Sequence, residues 1–79
     1  MDTVKIEIFG TGCQKCQQLE ANAKQAVANL HLSAEVLHIS DPMEIAMRGV
    51  MTTPAIAVNG KVVGTGVISS AQIQSLLQN

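Results

Sequence analysis

The segment VKIEIF at residues 4–9 alternates Val4, Ile6 and Ile8 against Lys5 and Glu7, and beyond Gly10-Thr11-Gly12 the apolar spacing changes to threes and fours. The new stripe runs through Cys16, Leu19, Ala23, Ala26, Val27 and Leu30, in a stretch rich in Gln and Ala. A period of two followed by a period near 3.6 marks a strand that feeds a long helix, placed at residues 13–30. A second extended run, AEVLHIS at 34–40, comes directly after it. A strand, a helix and a strand in immediate succession form a crossover, which is right-handed and sets the two strands parallel. Any fold open to this chain must contain that unit.

The rest of the chain, from residue 41 onward, is equally punctuated. In DPME, Asp41 can cap, Pro42 suits the first helical position and Glu44 has capping-box spacing, so a short helix is expected at 42–48. Gly49 is a C-terminal stop, and Thr52-Thr53-Pro54 breaks any continuation. AIAV (55–58) and KVV (61–63) flank Asn59-Gly60, the pair favoured by a type I′ hairpin, so these strands are antiparallel. Ser69-Ser70-Ala71-Gln72 again has capping-box spacing, and Ile73, Leu76 and Leu77 give the last helix one apolar face. The expected architecture is α/β in the order βαβαββα: a four-stranded mixed sheet with three helices, one domain over residues 1–79, with no repeat and no linker.

A chain of 79 residues must be stabilised by one small core, and with Phe9 as its sole aromatic residue that core has to be aliphatic. Met43, Met47 and Met51 recur every four residues and are expected to fill gaps in it, with Met51 adding to an apolar rim for partner docking. Ligation of a soft metal by these thioethers is the alternative. The net charge is −1 and the basic residues Lys5, Lys15, Lys24, Arg48 and Lys61 are scattered, so there is no stripe to bind nucleic acid. No apolar run approaches 18 residues, which argues against a membrane span. The opening MDTVKIEIF has neither the basic start nor the long apolar stretch of a secretory signal, so a cytoplasmic protein is expected.

The only two cysteines stand as Cys13-Gln14-Lys15-Cys16. In a reducing compartment such a pair is more readily explained by catalysis or metal binding than by a permanent bridge. Positions i and i+3 of a helix are surface neighbours, so the two sulfurs can close a small ring. Cys16 shares the stripe of Leu19 and should be shielded; Cys13 sits in the first turn beside two glycines and should be open. The helix N-terminus and the nearby Lys15 both favour a thiolate at Cys13, making it the nucleophile. Cys16 could then displace a mixed disulfide formed there.

A strand, a CxxC at the next helix start, a later Thr-Pro entering a hairpin and a final helix together resemble the thioredoxin/glutaredoxin fold over nearly the whole chain. The GTGCxxC entrance and small aliphatic body are similar to compact members of the redox-active disulfide protein type. The resemblance implies a thiol–disulfide oxidoreductase with Cys13 attacking, Cys16 resolving and Pro54 as a cis-proline facing the disulfide, preceded by Thr53. It implies that a bound substrate strand pairs with the backbone before that proline. It also implies a proton relay at Glu7, six residues before Cys13, where thioredoxins carry a buried acid; the alternative is a solvated pair of Glu7 with Lys5. No cofactor is implied beyond the dithiol. The partners implied are a disulfide-bearing protein or peptide and an electron donor that the sequence does not identify.

This chain departs from both parents in having Gln14-Lys15 between the cysteines, so neither parent's redox potential transfers. Glutaredoxins hold glutathione with a Gly-Gly pair and an acid after the last strand; here Gly64-Thr65-Gly66-Val67-Ile68-Ser69 has no acid, which leaves glutathione use open and favours a protein or peptide dithiol.

KIEIFGTGCQKC also resembles the Cu(I)- or Zn-binding loop of heavy-metal-associated domains. That fold runs βαββαβ and ends in a strand, has no helix where 42–48 is expected here, and gives Thr53-Pro54 no role. One CxxC, moreover, supplies only two of four ligands for a closed zinc site. A redox-sensing interaction module is a third reading. His31, after the long helix, and His38, in the second strand, are expected to be structural, and no acid completes a Cys-His protease arrangement.

Overall fold

The computed structural model describes residues 3–10 and 14–78. The elements are β1 (Val4–Phe9), α1 (Gln14–Leu30), β2 (Ala34–Ile39), α2 (Pro42–Met47), β3 (Ala55–Val58), β4 (Lys61–Thr65) and α3 (Ser70–Gln78). They form one four-stranded sheet in the order β2-β1-β3-β4. β1 runs parallel to β2, with Ile6 opposite Val36, and antiparallel to β3, with Glu7 opposite Ala57; β3 and β4 are antiparallel. Cys13 lies outside the described residues, so the start of α1 is seen from Gln14 onward.

The local signals explain the element ends. α1 closes in a Schellman arrangement: His31 takes a positive φ of 54°, its N–H donates to the Ala28 carbonyl, and the Leu32 N–H donates to that of Val27. α2 opens on Asp41, whose side chain accepts from the Met43 N–H, with Pro42 at the first helical position. It closes through Gly49 at φ 76°, with N–H groups of Gly49 and Val50 on the carbonyls of Ala46 and Ile45. At α3 the capping box is complete, the Gln72 N–H donating to Ser69 Oγ and the Ser69 N–H to Gln72 Oε1. Asn59 and Gly60 both have positive φ, 53° and 88°, as the two-residue turn requires.

β4 is two residues longer than the apolar run KVV indicates. Gly64 and Thr65 read as loop residues, yet they pair with Ile56 and Ala55, and a register irregularity between Ile56 and Ala57 absorbs the extra residue. β2, by contrast, stops at Ile39, one residue short of the expected end.

Alternation along β1 and β3 divides the core into two. Ile6, Ile8 and Ile56 pack under α1 and α3 with Leu19, Ala23, Ala26 and Ile73. On the other face Phe9, Ala55 and Ala57 pack with Ile45 of α2 and with Val50. The methionines do not join either core. Met43 and Met47 are 71% and 77% exposed, because Ile45 alone turns the inner face of the six-residue α2 toward the sheet, and Met51, beyond the helix, is 97% exposed. Among the described residues no helix is long and apolar enough to cross a membrane.

Candidate active site

The site is built where β1 ends. Gly10 is buried; its N–H donates to the Ile39 carbonyl, fixing the chain where it leaves the sheet. A Cβ added at Gly10 would overlap the Cys16 sulfur and come within 4.0 Å of Pro54 Cα. A residue without a side chain leaves room here for the Cys16 sulfur, with Pro54 in contact on the other side. Cys16 is fully buried in the first turn of α1, in line with the stripe that continues through Leu19 and Ala23. Lys15 beside it is exposed.

The second wall comes from the segment between α2 and β3. Met51, Thr52 and Thr53 are exposed and Pro54 is buried; the Thr53–Pro54 peptide bond is cis. The Pro54 carbonyl accepts from the Gly66 N–H at 2.7 Å, which ties the end of β4 to the same point. Thus β1, α1 and the α2–β3 segment deliver Gly10, Cys16 and Pro54 to one place from residues 10, 16 and 54 of the sequence. Sequence reasoning passes over Gly10, taking it for a strand terminator; its position immediately before the cysteine loop is the available signal.

Two further residues belong to this end of the sheet. His38 Nε2–H donates to the Gly10 carbonyl at 3.2 Å, and its Nδ1 lies 3.6 Å from Glu20 of α1. The histidine expected to be structural therefore braces Gly10, because parallel pairing sets Ile8 opposite His38 and Phe9 opposite Ile39. Glu20 in turn lies 3.1 Å from Lys24.

Glu7 is 2% exposed, which rules against the alternative of a solvated pair with Lys5; its partner is a different cation. Arg48, the residue that caps the C-terminus of α2, grips it with two hydrogen bonds, Nη2 to Oε1 at 2.6 Å and Nη1 to Oε2 at 2.8 Å. The guanidinium carbon also stands 5.4 Å from the centre of the Phe9 ring. Hydrogen bonding from Arg48 holds the Glu7 carboxyl below its ordinary value despite burial, which pushes the other way, with the charges of Arg48 and Lys5 adding to the lowering. The same hydrogen bonds raise Arg48. Nothing in the local sequence around Arg48 announces this pair; it arises from the packing of α2 on β1.

Among the described residues no three His, Cys, Asp or Glu side chains cluster to hold a metal ion.

A four-stranded mixed sheet with helices on both faces, and a CxxC whose second cysteine is buried in the first helix opposite a proline-led loop, define a thioredoxin-like architecture. Residues 4–78 match the family model described as thioredoxin domain. A thioredoxin of Methanothermobacter thermautotrophicus is 41% identical over 76 residues, covering 94% of this chain and 97% of that protein. One from Methanocaldococcus jannaschii is 44% identical over 69 residues, covering 87% and 79%. Among solved structures, chloroplastic thioredoxin z superposes with a TM-score of 0.76 at 22% identity, covering 98% of this chain and 77% of that one, a likeness of fold. The chain belongs to the thioredoxin family, and it is a thiol–disulfide oxidoreductase.

Proposed function

We propose that this protein exchanges electrons with a disulfide-bearing protein or peptide through Cys13 and Cys16, with Thr53 and Pro54 as the wall against which the substrate lies. The Cys13 thiolate attacks one sulfur of the target disulfide; that bond breaks, and the other target sulfur leaves as a thiolate. Cys16 then attacks the Cys13 sulfur, releasing the second target sulfur and closing the Cys13–Cys16 bond. The proton of Cys16 goes to a sulfur released from the target. Two electrons pass to the target, and a separate dithiol donor returns the protein to its reduced form.

The observation that carries this reading is the convergence at Gly10: a buried Cys16 and Pro54 meet across a residue that tolerates no side chain. Burial suits Cys16 to resolution and unsuits it to first attack, which falls to Cys13. Lys15, exposed on the first turn of α1, adds positive charge for the thiolate. The exposed backbone from Met51 to Thr53 is the available edge for an extended substrate segment.

The test is a trapping experiment. With Cys16→Ser, a peptide disulfide should remain attached through Cys13 as a stable mixed disulfide, detected by mass, while turnover is lost. Rapid release of the peptide from the variant, or equal turnover by variant and wild type, would remove Cys16 from the resolving role.

A further inference from the structure

The relay role implied for Glu7 requires a carboxylate that accepts a proton near neutral pH. A buried acid without a counter-ion would do so, since burial raises its proton affinity. Here both of its oxygens are occupied by one guanidinium, in the two-pronged geometry that arginine forms and lysine cannot.

The rest of the surroundings point the same way. Lys5, two residues along the same face of β1, adds positive charge toward Glu7. From the neighbouring strands, Leu37 of β2 and Ala57 of β3 stand in register with Glu7 and carry no charge. Among the described residues Glu44 of α2 also acts on the pair, its charge favouring the cationic form of Arg48. Lys5 thus favours the ionised acid and Glu44 the ionised base.

Arg48 also occupies a strategic place in the chain. It ends α2, and Gly49 through Thr53 lead from it to Pro54; Glu7 lies on the strand that leads to Gly10. The pair, with Arg48 above Phe9, fastens one active-site approach to the other.

We propose that Arg48 is a positioning residue of the exchange site: it holds Glu7 as a fixed, ionised counter-charge that takes up no proton during the reaction, and through that grip it sets the Pro54 segment against the strand leading to the cysteines. The proposal rests on the exchange reading for its bearing on catalysis; the Arg48–Glu7 geometry itself does not depend on it. The buried acid thereby serves as an anchor rather than a relay.

The decisive measurement follows the Glu7 side-chain carboxyl by carbon-13 NMR across the neutral range, alongside the rate of reduction of a peptide disulfide at each pH. In the wild type the Glu7 signal should not move over that range. In Arg48→Met it should shift upward in midpoint and titrate there, and the exchange rate should gain a step with the same midpoint. That step should vanish in the Glu7→Gln/Arg48→Met double variant. Arg48→Lys, which keeps the charge and loses the second prong, should give a smaller shift in the same direction. A wild-type Glu7 that titrates in the neutral range overturns the proposal, and this outcome needs no variant to fold. So does a Glu7 signal that stays fixed in both Arg48→Met and Arg48→Lys. If instead Glu7 behaves as expected but the wild type reduces no disulfide, the exchange reading fails while the anchor stands.

Discussion

On the face of the sheet covered by α1 and α3, the buried residues from Ile6 to Ile73 are wholly aliphatic, whereas the face under α2 shares a smaller apolar cluster with an ion pair. The reason lies in the covering elements. α1 has 17 residues and α3 has nine, so together they seal the first face; α2 has six and brings only Ile45 inward. The area that α2 leaves is covered by Arg48, lying over Phe9 with its guanidinium on Glu7 and its side chain 30% exposed. Ala57, in register with Glu7, is small enough to leave room for the pair. One face is thus held by close packing, the other by a directional contact at the edge of water, and the cysteine-bearing helix rests on the first while the Pro54 segment is approached from the second.

The largest test of this contrast uses the same deletion on both faces. Ile8→Ala and Ile45→Ala remove identical atoms, and buried changes of this kind cost about 2–5 kcal/mol. Ile8, fully buried between helices and sheet, should fall near the top of that range in denaturant unfolding, and Ile45, at the margin of the short helix, near the bottom. Equal losses would mean that both faces are packed alike.

A second test isolates the ion pair by pH. The Glu7 carboxyl is held below its ordinary value of 4.5, so its contribution to stability is present above that value and is lost as pH falls through the lower folded one. Acid unfolding of Glu7→Gln should lack this component, so the stability difference between wild type and variant should shrink as the solution is acidified. A constant difference at every pH would assign the effect of the substitution to shape instead of charge.

The smallest effect is expected outside both cores. Met43→Gln and Met47→Gln replace side chains that are mostly in water, and each should change stability by no more than about 0.5 kcal/mol. A loss several times larger would return these methionines to the core that their four-residue spacing suggests.

That spacing shows what periodicity conveys and what it leaves open. Met43 and Met47 do share a face of α2, but a shared face is buried only if something lies against it, and Ile45 is the residue turned to the sheet. His38 is a similar case. Its alternation in β2 is legible, yet its contact with Gly10 depends on parallel pairing across 28 residues of chain. Glu7 stands out as a candidate by its distance from Cys13, while its partner lies 41 residues away.

By itself the sequence determined the order of elements, their caps and turns, and the place of Cys16 on the buried stripe of the first helix. These rest on interactions within a few residues: Asp41 with Met43, Ser69 with Gln72, the backbone freedom of Asn59-Gly60, and the change of apolar period at Gly10. Only the tertiary structure decided that Cys16 would crowd Gly10 beside Pro54, that His38 would hold its carbonyl, and that Arg48 would clamp Glu7. Each of these contacts joins separate elements across the sheet or around its end, and local propensity carries no information about which side chains such packing brings together.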